Sequence, residues 1–142
     1  MSDLLPFAAA LDQLLMGVEP LPAETLPLDH CAGRVLAELV TARLTQPPFD
    51  AAAMDGYAIR WADLRLPWRV VGESAAGHGW AGTVGPGEAV RIFTGAPLPA
   101  GADTVEMQEN AVLGDDGRVV FSEPLRLRQN VRGQGQETRI GD

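Results

Sequence analysis

The sequence predicts an α+β fold that is mostly β, with a β-rich lobe of short strands and turns and a small linker lobe with an N-terminal amphipathic helix. Two observations support this prediction. Sixteen glycines and eleven prolines among 142 residues favour tight turns over long helices. Apolar residues at helical spacing are concentrated near the N-terminus, whereas most later apolar residues fall in short segments between turns.

The first predicted element is an amphipathic helix over residues 3–16. Ser2 or Asp3 is expected to cap its beginning, and Gly17 is expected to end it. The opposite face is polar, so we expect the apolar face to pack against a partner lobe or a second subunit. The apolar positions are Leu4, Phe7, Ala8, Leu11, Leu14, Leu15 and Val18.

The segment that follows favours extended structure. Three prolines indicate a linker over residues 19–27, and Leu26–Leu28 is predicted as a short strand. Asp29–Gly33 is predicted as a single helical turn. The periodicity of residues 34–44 fits a helix or a strand, and the recurring β-branched residues and nearby turns favour the strand.

The β-rich lobe is predicted over residues 46–125, with Pro47-Pro48 at its boundary. Its expected elements are strands at residues 68–72, 88–93 and 104–108, and a hairpin that joins residues 112–113 to 119–121 around Gly114–Gly117. Residues 126–142 are assigned together with residues 1–45 to the linker or dimerisation lobe, which is incomplete in this chain.

The composition excludes several classes of chemistry. All eleven basic residues are arginines, so a lysine-containing phosphate loop and a lysine Schiff base are both excluded. The net charge of −8 repels nucleic-acid phosphates, so we expect no nucleic-acid partner. Cys31 is the only cysteine, so the chain forms no internal disulfide and no zinc site with several cysteine ligands.

The hydropathy pattern predicts the cell compartment. No apolar segment approaches the roughly 20 residues that a membrane helix needs. No basic region followed by an apolar segment marks a secretory signal. We therefore expect a cytoplasmic protein with no membrane partner.

The glycine-rich segment Gly77–Gly82 matches G-x-G-x-x-G but is not predicted to bind a nucleotide. That motif needs a helix directly after it, and the sequence of residues 83–87 cannot form one. The segment is therefore interpreted as a loop between two strands. His78 has only His30 as a possible histidine partner, so it is interpreted as a solvated loop residue.

Two turns hold the residues most suited to chemistry. Residues 46–60 place an Asp55-Gly56 pair after two prolines and three alanines, and such a turn can present one carboxylate to a docking partner. Thr94-Gly95 follows a predicted strand, where a hydroxyl and a backbone N–H can both donate to an anionic oxygen. On chemistry alone, Asp55 and Thr94 fit simple turn formers as well as functional residues.

Three segments together resemble the MoeA family of molybdopterin molybdenumtransferases, which is related to the E domain of gephyrin. They are residues 46–60, 72–77 and 86–105, and they occur in the order of the family. The resemblance extends from the first helix through Asn130-Val131-Arg132. It implies an enzyme that inserts molybdate into adenylylated molybdopterin, with a divalent cation such as Mg²⁺, to make molybdenum cofactor.

The resemblance also implies an assembly. Members are elongated homodimers whose active site forms where the second lobe of one subunit faces the pterin lobe of the other. The α/β pterin-binding lobe and the C-terminal β-barrel are absent from these 142 residues. The chain is therefore expected to contribute half of a composite site and to be inactive alone. A molybdopterin adenylyltransferase is a further expected partner.

The resemblance assigns catalytic residues by motif. Asp55 is the acid of Met-Asp-Gly-Tyr and would position a Mg²⁺-bound phosphate or water, so it is also the expected indirect metal contact. Thr94 of Phe-Thr-Gly would hydrogen-bond an anionic oxygen. Glu137 would replace the aspartate of the Gly-Glu-Asp motif of the family, with one more methylene of reach. Mg²⁺ would be held mainly by the missing lobe.

The sequence departs from the family pattern at a few positions. Ala52 stands where serine is common, Glu106 where an apolar residue is usual, and Gln136-Glu137 at the Gly-Glu-Asp motif. These departures motivate an alternative interpretation. In that alternative, the chain is a non-catalytic assembly or binding module that keeps the MoeA N-terminal fold.

Overall fold

The computed structural model describes residues 4–63, 67–122 and 125–142. Contacts divide the chain into two compact units, Met1–Val40 and Thr41–Asp142. The assignment of residues 126–142 to one lobe with residues 1–45 stays a prediction. Within the described ranges, no helix is both long and apolar enough to cross a membrane.

The first unit contains the predicted amphipathic helix, α1 (Phe7–Leu15). It begins after Pro6, later than predicted, and the expected caps Ser2 and Asp3 lie outside the described residues. Gly17 follows the end of α1 with a φ of +87°, a left-handed conformation that favours glycine. No residue of α1 is buried, and its packing against a partner stays a prediction.

The predicted strand at Leu26–Leu28 is wrong. Leu28 instead begins a 3-10 helix, Leu28–His30, in which the Cys31 amide donates to the Leu28 carbonyl at 3.1 Å. The helical turn predicted at 29–33 therefore exists, but it begins one residue earlier. Because Pro27 has no N–H and a fixed φ, it suits the position before such a turn better than the middle of a strand.

The predicted strand at residues 34–44 is also wrong. Val35 and Leu39 are 94% and 96% exposed, and no residue of this segment pairs in a described sheet. At Ala42, the amide donates to the Asp142 carbonyl and the carbonyl accepts from the Gly141 amide. β-Branched residues favour a strand only where a partner strand and a packed face are present. Among the described residues, this segment has no strand partner in a sheet and no buried residue.

The described residues of the second unit form eight short strands. They are β1 (Ala51–Ala52), β2 (Gly56–Ile59), β3 (Trp68–Ser74), β4 (Glu88–Ile92), β5 (Thr104–Met107), β6 (Ala111–Leu113), β7 (Arg118–Phe121) and β8 (Val131–Arg132). The 3-10 helices Trp61–Asp63 and Gln108–Asn110 follow β2 and β5. One sheet has the strand order β5-β2-β4-β3-β7-β6, and β1 pairs with β8 separately. Within the six-stranded sheet, β3 and β4 pair in parallel and the other described pairs are antiparallel.

Most of the predicted strands are confirmed. Strands β3, β4 and β5 lie where alternating apolar residues predict them, and β3 extends two residues further to Ser74. The hairpin is confirmed as β6 and β7, closed by a hydrogen bond of 2.8 Å from the Gly114 amide to the Arg118 carbonyl. The sequence does not predict β2 or the β1–β8 pair, because the Asp55-Gly56 turn pattern conceals the four-residue strand that begins at Gly56.

The six-stranded sheet buries apolar side chains on both faces. Residues that alternate along β2 and β4 point to opposite faces, so Ala58 and Val90 lie in one cluster and Ile59 and Ala89 in the other. In the second cluster the rings of Trp68 and Phe121 pack with centroids 4.8 Å apart. The first cluster contains Ala52, Ala58, Val84, Val90, Ile92, Ala96 and Val105, and the second contains Ile59, Trp68, Ala89 and Val119.

The edge of the sheet at β5 is covered by the chain that follows β7. The Val105 amide donates to the Gln129 carbonyl, and the Asn130 side-chain amide donates to the Val105 carbonyl, each at 3.0 Å. The outward-facing amide and carbonyl of Val105 are thereby paired.

Glu106 on β5 is fully buried, although its side chain is polar and ionisable. Its Oε1 accepts from Asn110 Nδ2 at 2.6 Å, and its Oε2 accepts from Gln129 Nε2 at 3.0 Å. Because each carboxyl oxygen accepts a hydrogen bond, the cost of removing this polar group from water is partly offset. Two side-chain amides thus explain how this position accepts an acid where the resemblance predicts an apolar residue.

We predict that Glu106→Leu lowers the free energy of unfolding by about 1–3 kcal/mol, because it leaves the Asn110 and Gln129 amides without their acceptor. Glu106→Gln is the matched control, since it keeps the shape and an acceptor oxygen, and its loss should be smaller. Urea unfolding followed by tryptophan fluorescence measures both variants. A leucine variant as stable as the parent would show that the two amides do not depend on Glu106.

Candidate functional site

Asp55 lies in the turn between β1 and β2, and backbone contacts fix that turn on both sides. The Ala53 amide donates to the Asn130 carbonyl at 2.8 Å, and the Gln108 amide donates to the Asp55 carbonyl at 3.0 Å. Gly56 then enters the sheet between β4 and β5. The Asp-Gly pair thus joins two different sheets rather than closing a hairpin.

Gly56 is required for close packing rather than for a special backbone angle. A Cβ atom at this position would lie 1.8 Å from the carbonyl oxygen of Glu106. Real Cβ atoms do not approach so closely, so only glycine fits between the two neighbouring strands. The residue after Asp55 is therefore held by the backbone of β5.

Thr94 lies in the turn directly after β4. Gly95 has a φ of +82°, and the Ala96 amide donates to the Phe93 carbonyl at 2.9 Å to close the turn. The Gly95 amide donates to the Ala52 carbonyl at 2.9 Å, which ties this turn to β1. Strand β1 therefore holds the Thr94 turn directly and leads into the Asp55 turn.

The structure brings Asp55 and Thr94 together although 39 residues separate them. The backbone N–H and the hydroxyl of Thr94 both donate to Asp55 Oδ1, each at 2.7 Å. Among the described residues, no hydrogen bond reaches Oδ2. Neither side chain is buried. One oxygen of the carboxylate is thus fixed, and the other is available to a partner.

The same contacts set the charge of Asp55. The backbone amide of Thr94 first, and its hydroxyl second, hold the pKa of Asp55 below its ordinary value, and the positive charge of Arg91 acts in the same direction. Asp55 is therefore a carboxylate at neutral pH. Since the hydroxyl donates its one proton to Asp55, Thr94 Oγ1 in this arrangement can only accept further hydrogen bonds.

Arg91 is a residue of this site that the sequence motifs do not identify. Its Nη1 donates to the Gly56 carbonyl at 2.9 Å. Its guanidinium carbon lies 4.8 Å from the ring centroid of Phe93 and 5.2 Å from that of Tyr57. The available sequence pattern is the i, i+2 spacing of Arg91 and Phe93, which places both on one face of a strand.

Glu137, the third predicted catalytic residue, is exposed in the segment after β8. Its backbone amide donates to the Gln46 carbonyl at 2.9 Å. Among the described residues, no hydrogen bond or ion pair joins its carboxylate to Asp55 or Thr94. The structure therefore brings two of the three predicted residues together, and the role of Glu137 stays a prediction.

The part of the chain that contains Glu137 is fastened by Asp50. Asp50 Oδ2 accepts from Arg128 Nη1 at 2.6 Å, and Oδ1 accepts from the Gln134 amide at 2.8 Å. The hydrogen bond from Arg128, and then that from Gln134, hold the pKa of Asp50 below its ordinary value. This carboxylate links the beginning of β1 to both sides of β8.

The Asp50 contacts predict a loss of stability in acid. A lowered folded-state pKa stabilises the protein above the unfolded pKa of about 4 and loses that effect as pH falls through the folded pKa. Asp50→Asn should therefore destabilise the protein at neutral pH by up to about 1 kcal/mol, since the ion pair is solvent-exposed. The difference from the parent should vanish in acid.

Urea unfolding at pH 7 and at a series of pH values below the ordinary aspartate pKa measures how this difference declines. Asp115→Asn is the control, because it changes a carboxylate in the β6–β7 turn to which no described residue donates a hydrogen bond. If the stability difference between Asp50→Asn and the parent does not change with pH, the Asp50 contacts do not contribute as stated.

The described residues suit Mg²⁺ only in an indirect way. Among residues 4–63, 67–122 and 125–142, no three histidine, cysteine, aspartate or glutamate side chains come together as metal ligands. Asp55 Oδ2 offers a single carboxylate oxygen. Mg²⁺ in proteins commonly uses one or two carboxylates together with waters and substrate phosphates. The site therefore fits one contact to a Mg²⁺-bound water or phosphate, with the metal itself held by other groups.

The glycine-rich segment is a loop, as predicted. Ala75 and His78 exchange both backbone hydrogen bonds in a tight turn, and residues 83–87 form no helix. The indole of Trp80 packs against Gly72 and Gly82, where added Cβ atoms would each come within 2.4 Å of the ring. His78 is exposed. These glycines therefore make room for an aromatic ring.

Comparison with known proteins points to one family. Residues 5–142 match the family described as "MoeA N-terminal region (domain I and II)". The chain is 42% identical over 127 residues to a molybdopterin molybdenumtransferase of Haemophilus influenzae, covering 87% of this chain and 31% of that protein. It is 33% identical to that of Staphylococcus aureus, covering 97% of this chain and 34% of that protein. It thus spans about a third of these relatives.

A solved structure shows the same architecture. The crystal structure of the molybdopterin biosynthesis moeA protein from Pyrococcus horikoshii superposes with a TM-score of 0.79 at 33% sequence identity. The match covers 99% of this chain and 39% of that one. The mostly β fold predicted from the sequence is therefore confirmed by both the strands and this likeness.

Proposed function

Because this chain belongs to the family of MoeA N-terminal regions, we propose that it supplies half of a composite active site in a molybdopterin molybdenumtransferase. The reaction would insert molybdate into adenylylated molybdopterin during molybdenum cofactor biosynthesis. The observation that supports a catalytic role is the double hydrogen bond from Thr94 to one oxygen of Asp55. It orients a charged carboxylate and leaves its second oxygen to face the substrate.

In this proposal the chain contributes an acid and the rest of the enzyme contributes cations. Molybdate and adenylylated molybdopterin are anions, while this chain has a net charge of −8 and no lysine. Asp55 would hold a Mg²⁺-bound water or phosphate through Oδ2, and Thr94 would keep Asp55 charged and oriented. When bound, Mg²⁺ would supply charge neutralisation at the anionic oxygens.

The proposal includes an assembly. The complete enzyme would act in the cytoplasm as a homodimer that receives its substrate from a molybdopterin adenylyltransferase. Support comes from α1, whose large apolar side chains are exposed, such as Phe7 at 84% and Leu14 at 77%. Apolar side chains exposed along one helix are typical of a surface that another lobe or subunit covers.

The second function considered is a non-catalytic assembly module with the same fold. The observation that favours it is Glu137, which is exposed and does not contact Asp55 or Thr94 in the described residues. If catalysis requires the aspartate of the family motif at this position, the longer glutamate would leave the site incomplete.

A chimera separates the two functions. Residues 1–142 would replace the matching N-terminal third of the Haemophilus influenzae relative, to which the chain is 42% identical. The chimera is then expressed in cells that lack their own molybdopterin molybdenumtransferase. Restored activity of a molybdenum-dependent enzyme supports the transferase role. A soluble, folded chimera that fails to restore it supports the assembly module.

A further inference from the structure

We propose that Arg91 is a positioning residue that aligns the Asp55 carboxylate with Thr94 through hydrogen bonds, direct and through Gln108, to the backbone carbonyls of Asp55 and Gly56. The inference deepens the proposed function and rests on it for the role of Asp55. Arg91 lies on β4 directly opposite Tyr57 on β2. Its Nη1 donates to the carbonyl of Gly56, the residue that follows Asp55, at 2.9 Å.

A second contact of Arg91 reaches the same turn through Gln108. Its Nη2 donates to Oε1 of Gln108, whose backbone amide donates to the Asp55 carbonyl at 3.0 Å. The guanidinium is thus bonded to the carbonyl of Gly56 and, through Gln108, to the carbonyl of Asp55. Arg91 therefore holds the Gly56 carbonyl directly, and Gln108, to which Arg91 is hydrogen-bonded, holds the Asp55 carbonyl.

Two aromatic rings that contact the Arg91 guanidinium connect these backbone contacts to Thr94. The guanidinium packs against Tyr57 of β2 and against Phe93, the residue directly before Thr94. The turn with the carboxylate and the turn with the hydroxyl therefore share one contact residue. Such stacking needs the flat guanidinium, and lysine does not reproduce it.

Arg91 acts through the backbone rather than as a direct ion-pair partner. No ion pair joins its guanidinium to the Asp55 carboxylate within the part of the chain that the structure describes. Its charge still helps to keep Asp55 ionised, after the larger effect of the two Thr94 donors. A lysine at this position keeps the positive charge but cannot donate from two separate nitrogens to Gly56 and Gln108. The variant Arg91→Lys therefore separates the effect of charge from that of positioning.

The test uses NMR on the 142-residue chain and needs no activity assay. Hydrogen exchange of the Thr94 amide reports the hydrogen bond to Asp55, and a carboxyl titration reports the pKa of Asp55. In Arg91→Lys and in Gln108→Ala, amide exchange should rise roughly two- to tenfold, as for the weakening of one hydrogen bond. The pKa of Asp55 should rise toward its ordinary value in both variants.

Arg69→Lys is the matched control, since Arg69 lies on β3 of the same sheet and contacts Glu88 instead. It should leave both readouts unchanged. Thr94 exchange and an Asp55 titration equal to the parent in Arg91→Lys and Gln108→Ala would overturn the proposal.

The chimera then separates this inference from the proposed function. If Arg91→Lys changes the NMR readouts and lowers kcat with little change in KM, both stand. If it changes the NMR readouts while Asp55→Asn leaves the chimera fully active, positioning by Arg91 stands and the catalytic role of Asp55 fails.

Discussion

Asp55→Asn is expected to reduce the rate of cofactor formation by the chimera by about 100-fold or more, without unfolding the protein. Asparagine has the same shape, and its side-chain oxygen can still accept both hydrogen bonds from Thr94. It carries no negative charge, however, and its second terminal atom is a donor. It therefore cannot hold a Mg²⁺-bound water or phosphate as the carboxylate oxygen would.

Variants of Thr94 and Glu137 make this prediction specific. Thr94→Val keeps the backbone N–H but removes the hydroxyl, so it should lower the rate less than Asp55→Asn does. Thr94→Ser keeps both donors, so its rate should lie close to that of the parent. Glu137→Gln tests the remaining predicted catalytic residue in the same assay. A folded Asp55→Asn chimera with the activity of the parent would remove the proposed role of Asp55.

Gly56→Ala is expected to destabilise the protein by about 3 kcal/mol or more, a large share of the 5–15 kcal/mol typical of folded domains. The added methyl would lie 1.8 Å from the Glu106 carbonyl oxygen and 2.7 Å from its carbon. Strand β2 lies between β4 and β5, so a shift away from β5 would break the β2–β5 hydrogen bonds and press β2 against β4. The clash is with backbone, which has no rotamer to change.

Urea unfolding of the purified chain measures the effect. Gly133→Ala is the matched control, because its added Cβ would have its nearest neighbour at an ordinary 3.5 Å, and its φ lies outside the left-handed region. That control should stay within about 0.5 kcal/mol of the parent. A Gly56→Ala protein as stable as the parent would show that the β5 backbone shifts to accommodate the methyl group at little cost.

The sequence predicted those strands whose apolar residues alternate between two clear turns, as in β4 and the hairpin of β6 and β7. It failed where local pattern and tertiary context disagree. Residues 34–44 have the composition of a strand but no partner in a described sheet. Strand β2 was concealed because Gly56, interpreted as a turn residue, is a glycine required by close packing. Propensity alone cannot distinguish these two uses of glycine.

The site was predicted in part for a similar reason. The motifs identify Asp55 and Thr94, but only the fold shows that Thr94 donates twice to Asp55. Arg91 lies within the resembling segment 86–105, but its contacts with Gly56 and Gln108, 35 and 17 residues away, become visible only in the fold. Glu106 is a further case, because the two side-chain amides that pair with its buried carboxyl group become visible only in the fold.

The pairing of Val105 with Gln129 and Asn130 has a consequence for any shortened form of the chain. A protein truncated before these residues would leave the outward-facing amide of Val105 without its acceptor on Gln129 and the Val105 carbonyl without its donor on Asn130. Bare strand edges recruit strands from other molecules and promote aggregation. The last segment of the chain therefore protects the solubility of the whole unit, apart from any contribution to chemistry.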